Sequence, residues 1–330
     1  MLRRSDSPNS LLTLALVGLG AIVIGLAALL APANFFFGAA PAGDVPVEHT
    51  LHASPEAFGN SGEVRLQLRM PRERWEFPLE ASAIDSIKSL DWVRAEDTNR
   101  SIPAEATVST TVTAPSRPGF YRLAVTRKDG SRFVDSVVVG VLVPFSAKKR
   151  SALNGYQIGT YNWEHTPGDA SPPPRGFIEV SQAVENIPIS AHFRISDFIT
   201  HDGQTSWPRY VALDTRVLDK VELVLRYLGS REHDMPVSLH SGFRTPYHNR
   251  HVPRAASDSR HQYGDAADLA IDVDEDGRIT YLDVLAVSRA VEMVERDYPA
   301  LVGGLGLYGN LGTAAYVHID VRGARKRWRG

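Results

Sequence analysis

The chain has 330 residues, 43% hydrophobic and 22% charged, with a formal net charge of -2. That length allows about two domains that each bury a core, and the near-neutral balance gives no basis for a nucleic-acid partner. There is no cysteine, which excludes disulfides, thiolate metal sites and cysteine nucleophiles and leaves His, Asp and Glu as metal ligands.

Residues 1–10 carry Arg3 and Arg4 ahead of an uncharged apolar run at 11–31, and the apolar character continues to Phe37. As a helix the run would rise about 30 Å, enough to cross a bilayer. The positive-inside rule puts residues 1–10 in the cytoplasm and the bulk of the chain outside. The competing reading is a signal peptide cut near Ala40 or Ala42, but such apolar cores usually run only about 7–15 residues. The expectation is a single-pass inner-membrane protein whose transmembrane helix or signal anchor covers 11–37. An Ala/Pro/Gly linker at 38–47 follows, with the remainder periplasmic or otherwise extracytoplasmic.

Residues 48–147 read as a small all-β sandwich of immunoglobulin-like character. Val64, Leu66, Leu68 and Met70 alternate with polar residues, as do Tyr121, Leu123 and Val125, which is the period of a half-buried strand. Asp129-Gly130 between two apolar runs predicts a hairpin. Residues 148–190, rich in Gly, Pro and aromatic residues, read as an extended connector that packs on a neighbour.

Residues 191–330 alternate helical and strand patterns, and the fold class is α+β. Val217, Leu218, Val221, Val224, Leu225 and Leu228 recur at helical spacing between a cap at Asp214-Thr215 and a stop at Gly229. Val284, Val287, Val291 and Val294 mark a second helix, Val237 to Leu239 a short strand, and Tyr316 to Val321 a final strand.

Three segments of this region carry chemistry: Ser241-Gly242-Phe243-Arg244-Thr245-Pro246, Ser259 to Asp268, and the strand containing His318 and Asp320. A catalytic zinc takes three N or O ligands and keeps a fourth position for water. His261 and Asp268 supply two ligands if the chain folds back between them, with Gly264 leaving room, and His318 is the natural third. Tyr316, His318 and Asp320 share one face of their strand, while Val317, Ile319 and Val321 anchor the other. Taken singly, each histidine is more often structural, and Asp268 could be a turn cap. Their joint occurrence, in order, carries the reading.

These segments resemble the zinc D-alanyl-D-alanine carboxypeptidases, whose hedgehog/DD-peptidase fold also serves peptidoglycan dipeptidases and endopeptidases. The family signature Ser-x-His-x-x-Gly-x-Ala-x-Asp stands here as Ser259, His261, Gly264, Ala266 and Asp268, followed by a late His318. The resemblance covers roughly residues 191–328. It implies a Zn2+ ion on His261, Asp268 and His318, with Arg244 contacting a substrate carboxylate or oxyanion. The implied activity is hydrolysis of peptidoglycan stem or cross-link peptides by a D,D- or L,D-carboxypeptidase or endopeptidase. Many relatives carry an Asp or Glu three residues before the last His, where this chain has Ala315. Asp320, on the same strand face as His318, is therefore the expected general base, or else a partner that orients a metal ligand. The alternative is a catalytically inactive wall-binding or scaffolding module that keeps the metal.

A second metal pattern follows. Asp272, Asp274, Asp276, Gly277, Arg278 and Asp283 match positions one, three, five, six, seven and twelve of a calcium loop, which predicts a Ca2+ site. The basic end, Arg325 to Arg329, is read as a solvated surface with Trp328 packed, and no function is assigned to it.

Overall fold

The computed structural model describes residues 49–50, 58–79, 84–104, 111–168, 170–230, 235–309 and 315–330. Every described residue belongs to the compact unit Pro46–Gly330. The expected membrane segment at 11–37 and linker at 38–47 lie outside the described residues. Among the described helices none is long and apolar enough to cross a membrane.

The described residues between 49 and 141 are almost all strand and turn. The main sheet runs His49–Thr50, Arg132–Asp135, Gly119–Arg127, Ile87–Arg94, Asp97–Pro103. Val138–Val141 joins it through Gly119 to Tyr121 and pairs in parallel with Leu66–Arg69. The predicted hairpin forms with Ala124 opposite Val134 and Thr126 opposite Arg132. Its turn is closed by Asp129, whose Oδ1 accepts the Ser131 N–H at 2.9 Å. Tyr121 is fully buried and donates its hydroxyl back to the Arg117 carbonyl at 3.0 Å, a corner of the kind found in β-sandwiches.

The connector is more ordered than its Gly and Pro content suggests. Val143–Pro144 pairs with Gly176–Val180, which pairs with Arg209–Val211. Tyr156, Tyr161, Phe177 and Tyr210 along this route are all 0% exposed. Four large side chains removed from water outweigh the entropy of ordering a loop. Tyr161 also donates its hydroxyl to the Gln262 carbonyl at 2.9 Å, so the connector braces the turn that carries His261.

The remaining region is a five-stranded sheet with two long helices. We label its strands β1 (Val237–Ser241), β2 (Ala266–Ile271), β3 (Gly304–Tyr308), β4 (Tyr316–Asp320) and β5 (Lys326–Arg329). Their order across the sheet is β1-β2-β4-β3-β5, antiparallel except for β3 with β5. The helices are α1 (Thr215–Tyr227), the short α2 (Pro246–Asn249) and α3 (Tyr281–Asp297). As predicted, Asp214 caps α1 by accepting the Arg216 N–H, and Gly229 follows it in the left-handed region at φ 96°. One continuous apolar core reaches from Phe58 through both long helices to Val321.

Candidate metal centre

The register of the sheet builds the site. Ser241 of β1 lies opposite Asp268 of β2, Asp268 opposite His318 of β4, His318 opposite Gly306 of β3, and Gly306 opposite Trp328 of β5. Residues paired across a sheet project to the same face, so Ser241, Asp268, His318 and Trp328 form one row. Gly306 is the gap in that row. A Cβ there would come within 2.5 Å of the Trp328 indole, which instead lies 5.1 Å from the His318 ring, centroid to centroid.

His261 arrives from the one-turn helix Arg260–Tyr263 that precedes β2. Gly264 ends this turn at φ 71°, and a Cβ there would sit 2.1 Å from the Ala212 carbonyl oxygen. Only glycine satisfies both the backbone angle and the close approach, and both are needed to swing His261 back over Asp268.

Three donor atoms converge. His261 Nε2 is 3.1 Å from Asp268 Oδ1 and 3.1 Å from His318 Nδ1, and His318 Nδ1 is 2.9 Å from Asp268 Oδ1. His261, Asp268 and His318 are 2%, 5% and 7% exposed. The outer ring atoms fix the tautomers. His261 Nδ1 faces the Gly242 carbonyl at 2.7 Å, and His318 Nε2 faces Asp320 Oδ2 at 3.1 Å, so each of those nitrogens carries the proton. The inner atoms of the neutral rings, and the Asp268 oxygen, are then three lone pairs pointing at one another. An added positive charge relieves that repulsion. Two imidazole nitrogens and a carboxylate oxygen, each with a buried partner behind it, are a donor set that fits a divalent transition metal.

The local charges agree. Burial opposes ionisation of Asp268, but the two imidazoles outweigh it and hold the carboxyl well below the usual range. Burial pushes His261 down, toward the neutral ring a metal requires. For His318, burial acts in the same sense but loses to the carboxylates of Asp268 and Asp320, which raise it.

Arg244 stands beside the centre. It donates Nε to Ser241 Oγ at 2.7 Å and Nη2 to Asp268 Oδ2, and its backbone N–H reaches the His261 carbonyl at 3.1 Å. It therefore orients two of the three donor residues while facing the adjoining pocket.

Asp320 is the expected general base or orienting partner. It shares a strand face with His318, but it sits behind the ring, on the nitrogen turned away from the other donors, and is 0% exposed. Its oxygens accept the Gly304 N–H at 2.7 Å, the Arg322 N–H at 3.1 Å and further bonds from the Arg322 guanidinium. Burial is outweighed by His318 and Arg322, and the carboxyl is held well below the ordinary range. So enclosed, the carboxylate holds the outer nitrogen of His318. Ala315 is buried.

Sequence reasoning missed the Gly242 carbonyl, the Arg322 clamp and the Trp328 wall. The basic end is not a bare solvated surface: Arg325 and Arg327 pair with Glu292, and Arg327 also with Glu295.

The acidic loop lies at the far end of β2. Asp272, Asp274 and Asp276 have ligand atoms within 4.8 Å of one another, and Gly277 turns the chain at φ 80°. Desolvation and then repulsion from Asp276 raise the Asp274 carboxyl. Asp283 does not join this group. Its oxygens accept Val273 N–H at 2.9 Å and Thr280 N–H at 2.7 Å, capping α3. Arg278 donates its N–H to Asp276 at 2.8 Å.

With this geometry in view, the comparisons with known proteins are informative over a defined span. The Peptidase M15 family model matches residues 191–298, which include His261 and Asp268 and end before His318. No curated protein matches the chain. A match among solved structures is the crystal structure of an L-Ala D-Glu endopeptidase from Serratia marcescens, 20% identical over 34% of this chain and 83% of that one. Its TM-score is 0.25. The resemblance read from the signature thus stands on the match of residues 191–298 to the Peptidase M15 family model.

Proposed function

We propose that this protein is a zinc-dependent peptidase that hydrolyses peptidoglycan stem or cross-link peptides, as a carboxypeptidase or endopeptidase, outside the cytoplasmic membrane. The observation that carries the reading is the convergence of three buried donor atoms, from His261, Asp268 and His318, within 3.1 Å of one another. Zinc is our assignment because it favours a closed set of imidazole and carboxylate donors with one vertex left for water. When bound, it supplies a Lewis acid that lowers the pKa of water to about 7 and polarises a scissile carbonyl. The chain's own residues hold that chemistry in place. Gly242 and Asp320 fix the two imidazole tautomers, and Arg244 aims the Asp268 carboxylate. The remaining face of the Arg244 fork suits a planar substrate carboxylate.

The location is proposed from the sequence. Arg3 and Arg4 before the apolar run at 11–37 tether the protein to the inner membrane and leave the peptidase region where wall peptides are accessible. The loop bearing Asp272, Asp274, Asp276 and the Arg278 backbone is proposed as a calcium site, because its crowded carboxylates need neutralising charge.

Digestion of purified peptidoglycan by the full chain tests the proposal. Released peptides are expected, abolished by a chelator and restored by zinc. A specific observation favours one other reading: Ala315 stands where relatives carry an acid, and Asp320 faces away from the open side. A non-hydrolytic, zinc-holding wall-binding module would release no peptide even when loaded with metal.

A further inference from the structure

A second pocket, of about 360 Å³, shares no lining residue with the metal centre. Arg65, Arg122 and Ser136 line it from the β-rich region, and Pro188, Ser190 and Ala191 from the loop at 187–195. These walls are pinned together. The Arg65 backbone N–H donates to the Ile189 carbonyl at 2.9 Å, and the Arg65 carbonyl accepts the Val138 N–H at 2.7 Å. The loop is braced on itself and on α1: Ile189 donates its N–H to the Phe193 carbonyl at 2.9 Å, and His192 its N–H to Glu222 at 3.0 Å. Arg122 fixes the turn opposite, donating Nη1 to the Ser136 carbonyl at 2.6 Å and to the Asp135 carbonyl at 3.2 Å.

The lining holds two guanidinium groups and, among the described residues, no acid. Arg65 places Nη1 on the Gly62 and Val64 carbonyls, at 2.7 Å and 3.2 Å. In both arginines the Nε/Nη2 edge makes no hydrogen bond to the described residues. That edge is the one that grips an oxyanion through two parallel N–H donors. The neighbouring carboxylates are engaged or out of reach. Glu63 is 3.8 Å from Arg65 Nη2, Asp135 is fully buried and accepts the Val137 N–H at 2.8 Å, and Glu222 holds His192 by backbone and ring. Burial lowers the Arg122 guanidinium, and the Asp135 charge does not make up the difference. Ser190 adds a third donor. It is 3% exposed, and its Oγ has no hydrogen-bond partner among the described residues, a cost that an acceptor in the pocket removes.

Two cationic forks and a hydroxyl match an anion with two charges and more than two acceptor oxygens. A carboxylate brings one charge and two oxygens, whereas a phosphate monoester brings close to two charges and three terminal oxygens. The volume falls in the range of roughly 300–1,000 Å³ typical of small-molecule pockets, which leaves room for a short organic group on the phosphate. We propose that this pocket is a phosphate-binding site, in which Arg65, Arg122 and the Ser190 hydroxyl hold the terminal oxygens of a small phosphate monoester. Such a ligand would clamp the β-rich region to the 187–195 loop. The inference does not depend on the peptidase reading.

Calorimetric titration of the full chain in phosphate-free buffer, with glycerol 3-phosphate, inorganic phosphate and acetate as probes, tests the site. Both phosphates are expected to bind, and acetate to bind about tenfold more weakly or less. R122Q is expected to weaken glycerol 3-phosphate about tenfold, because it removes a charge-assisted pair. Should R122Q lose its fold, S190A carries the test. It deletes a hydroxyl that has no partner, so the melting temperature of the ligand-free chain is expected to hold while phosphate affinity falls about fivefold. A soluble short-chain phosphatidic acid that binds more tightly than glycerol 3-phosphate, with the same sensitivity to S190A, would support the site with a lipid headgroup as its source; weaker binding would support a free solute. Acetate as tight as phosphate, no phosphate binding, or undiminished affinity in folded S190A would each overturn the proposal. So would phosphate binding that H318A loses and R122Q keeps, which would put the anion at the metal centre.

Discussion

His318 is held from three directions. Its Nδ1 meets the other two donors, its Nε2 meets Asp320, and its ring lies beside the Trp328 indole. Because the Asp320 carboxylate acts through the ring, its removal is expected to appear first in metal binding. D320N is expected to weaken zinc affinity about 10–100-fold, as loss of a partner behind a metal ligand does, with kcat at saturating zinc reduced less than tenfold. A base role would give the opposite split: unchanged zinc affinity and kcat lower by about 10²–10⁴. Zinc competition titration beside steady-state kinetics reads both. The triad was legible in the sequence because its spacing needs no knowledge of rotamers. The place of Asp320 was left between two roles. Strand alternation gives the face that His318 and Asp320 share, but not which ring nitrogen turns toward the carboxylate.

The elements that carry the donors were partly readable. Apolar periodicity marked both long helices, and the alternation of Tyr316 to Val321 marked β4. The cross-sheet row from Ser241 to Trp328 was not readable, because register between strands far apart in sequence depends on the pairing of the whole sheet. The connector was read as extended, and its burial of Tyr156, Tyr161 and Phe177 shows that aromatic content decided the matter over Gly and Pro. The acidic loop after β2 matched a ligand pattern by residue type, yet Asp283 is drawn into the α3 cap. If three crowded carboxylates suffice, calcium at about 100 times its dissociation constant adds about 2.7 kcal/mol. For a chain of this size that is an increase in melting temperature of about 5 °C. The increase is expected by differential scanning fluorimetry and is expected to vanish in D274N/D276N. No change on adding millimolar calcium would leave the loop as an acidic turn closed by its own backbone.

At the scale of the molecule, residues 46–330 form one compact unit with a shared core, and the metal centre is supported from behind as well as from its own strands. Lys220 of α1, 0% exposed, donates to the Asp320 carbonyl at 2.8 Å and to Glu295 of α3 at 2.7 Å, and Glu295 also pairs with Arg327 of β5. A buried lysine held by one carboxylate and one carbonyl ties both helices to the strand that carries His318. All of this construction converges on three atoms that repel one another unless a cation lies between them. Metal content therefore tests the account most directly. Full-length protein dialysed after zinc loading and analysed by inductively coupled plasma mass spectrometry is expected to retain about one zinc per chain that H261A and H318A both lose. Wild-type protein that retains no zinc, or variants that retain as much as the wild type, would contradict it.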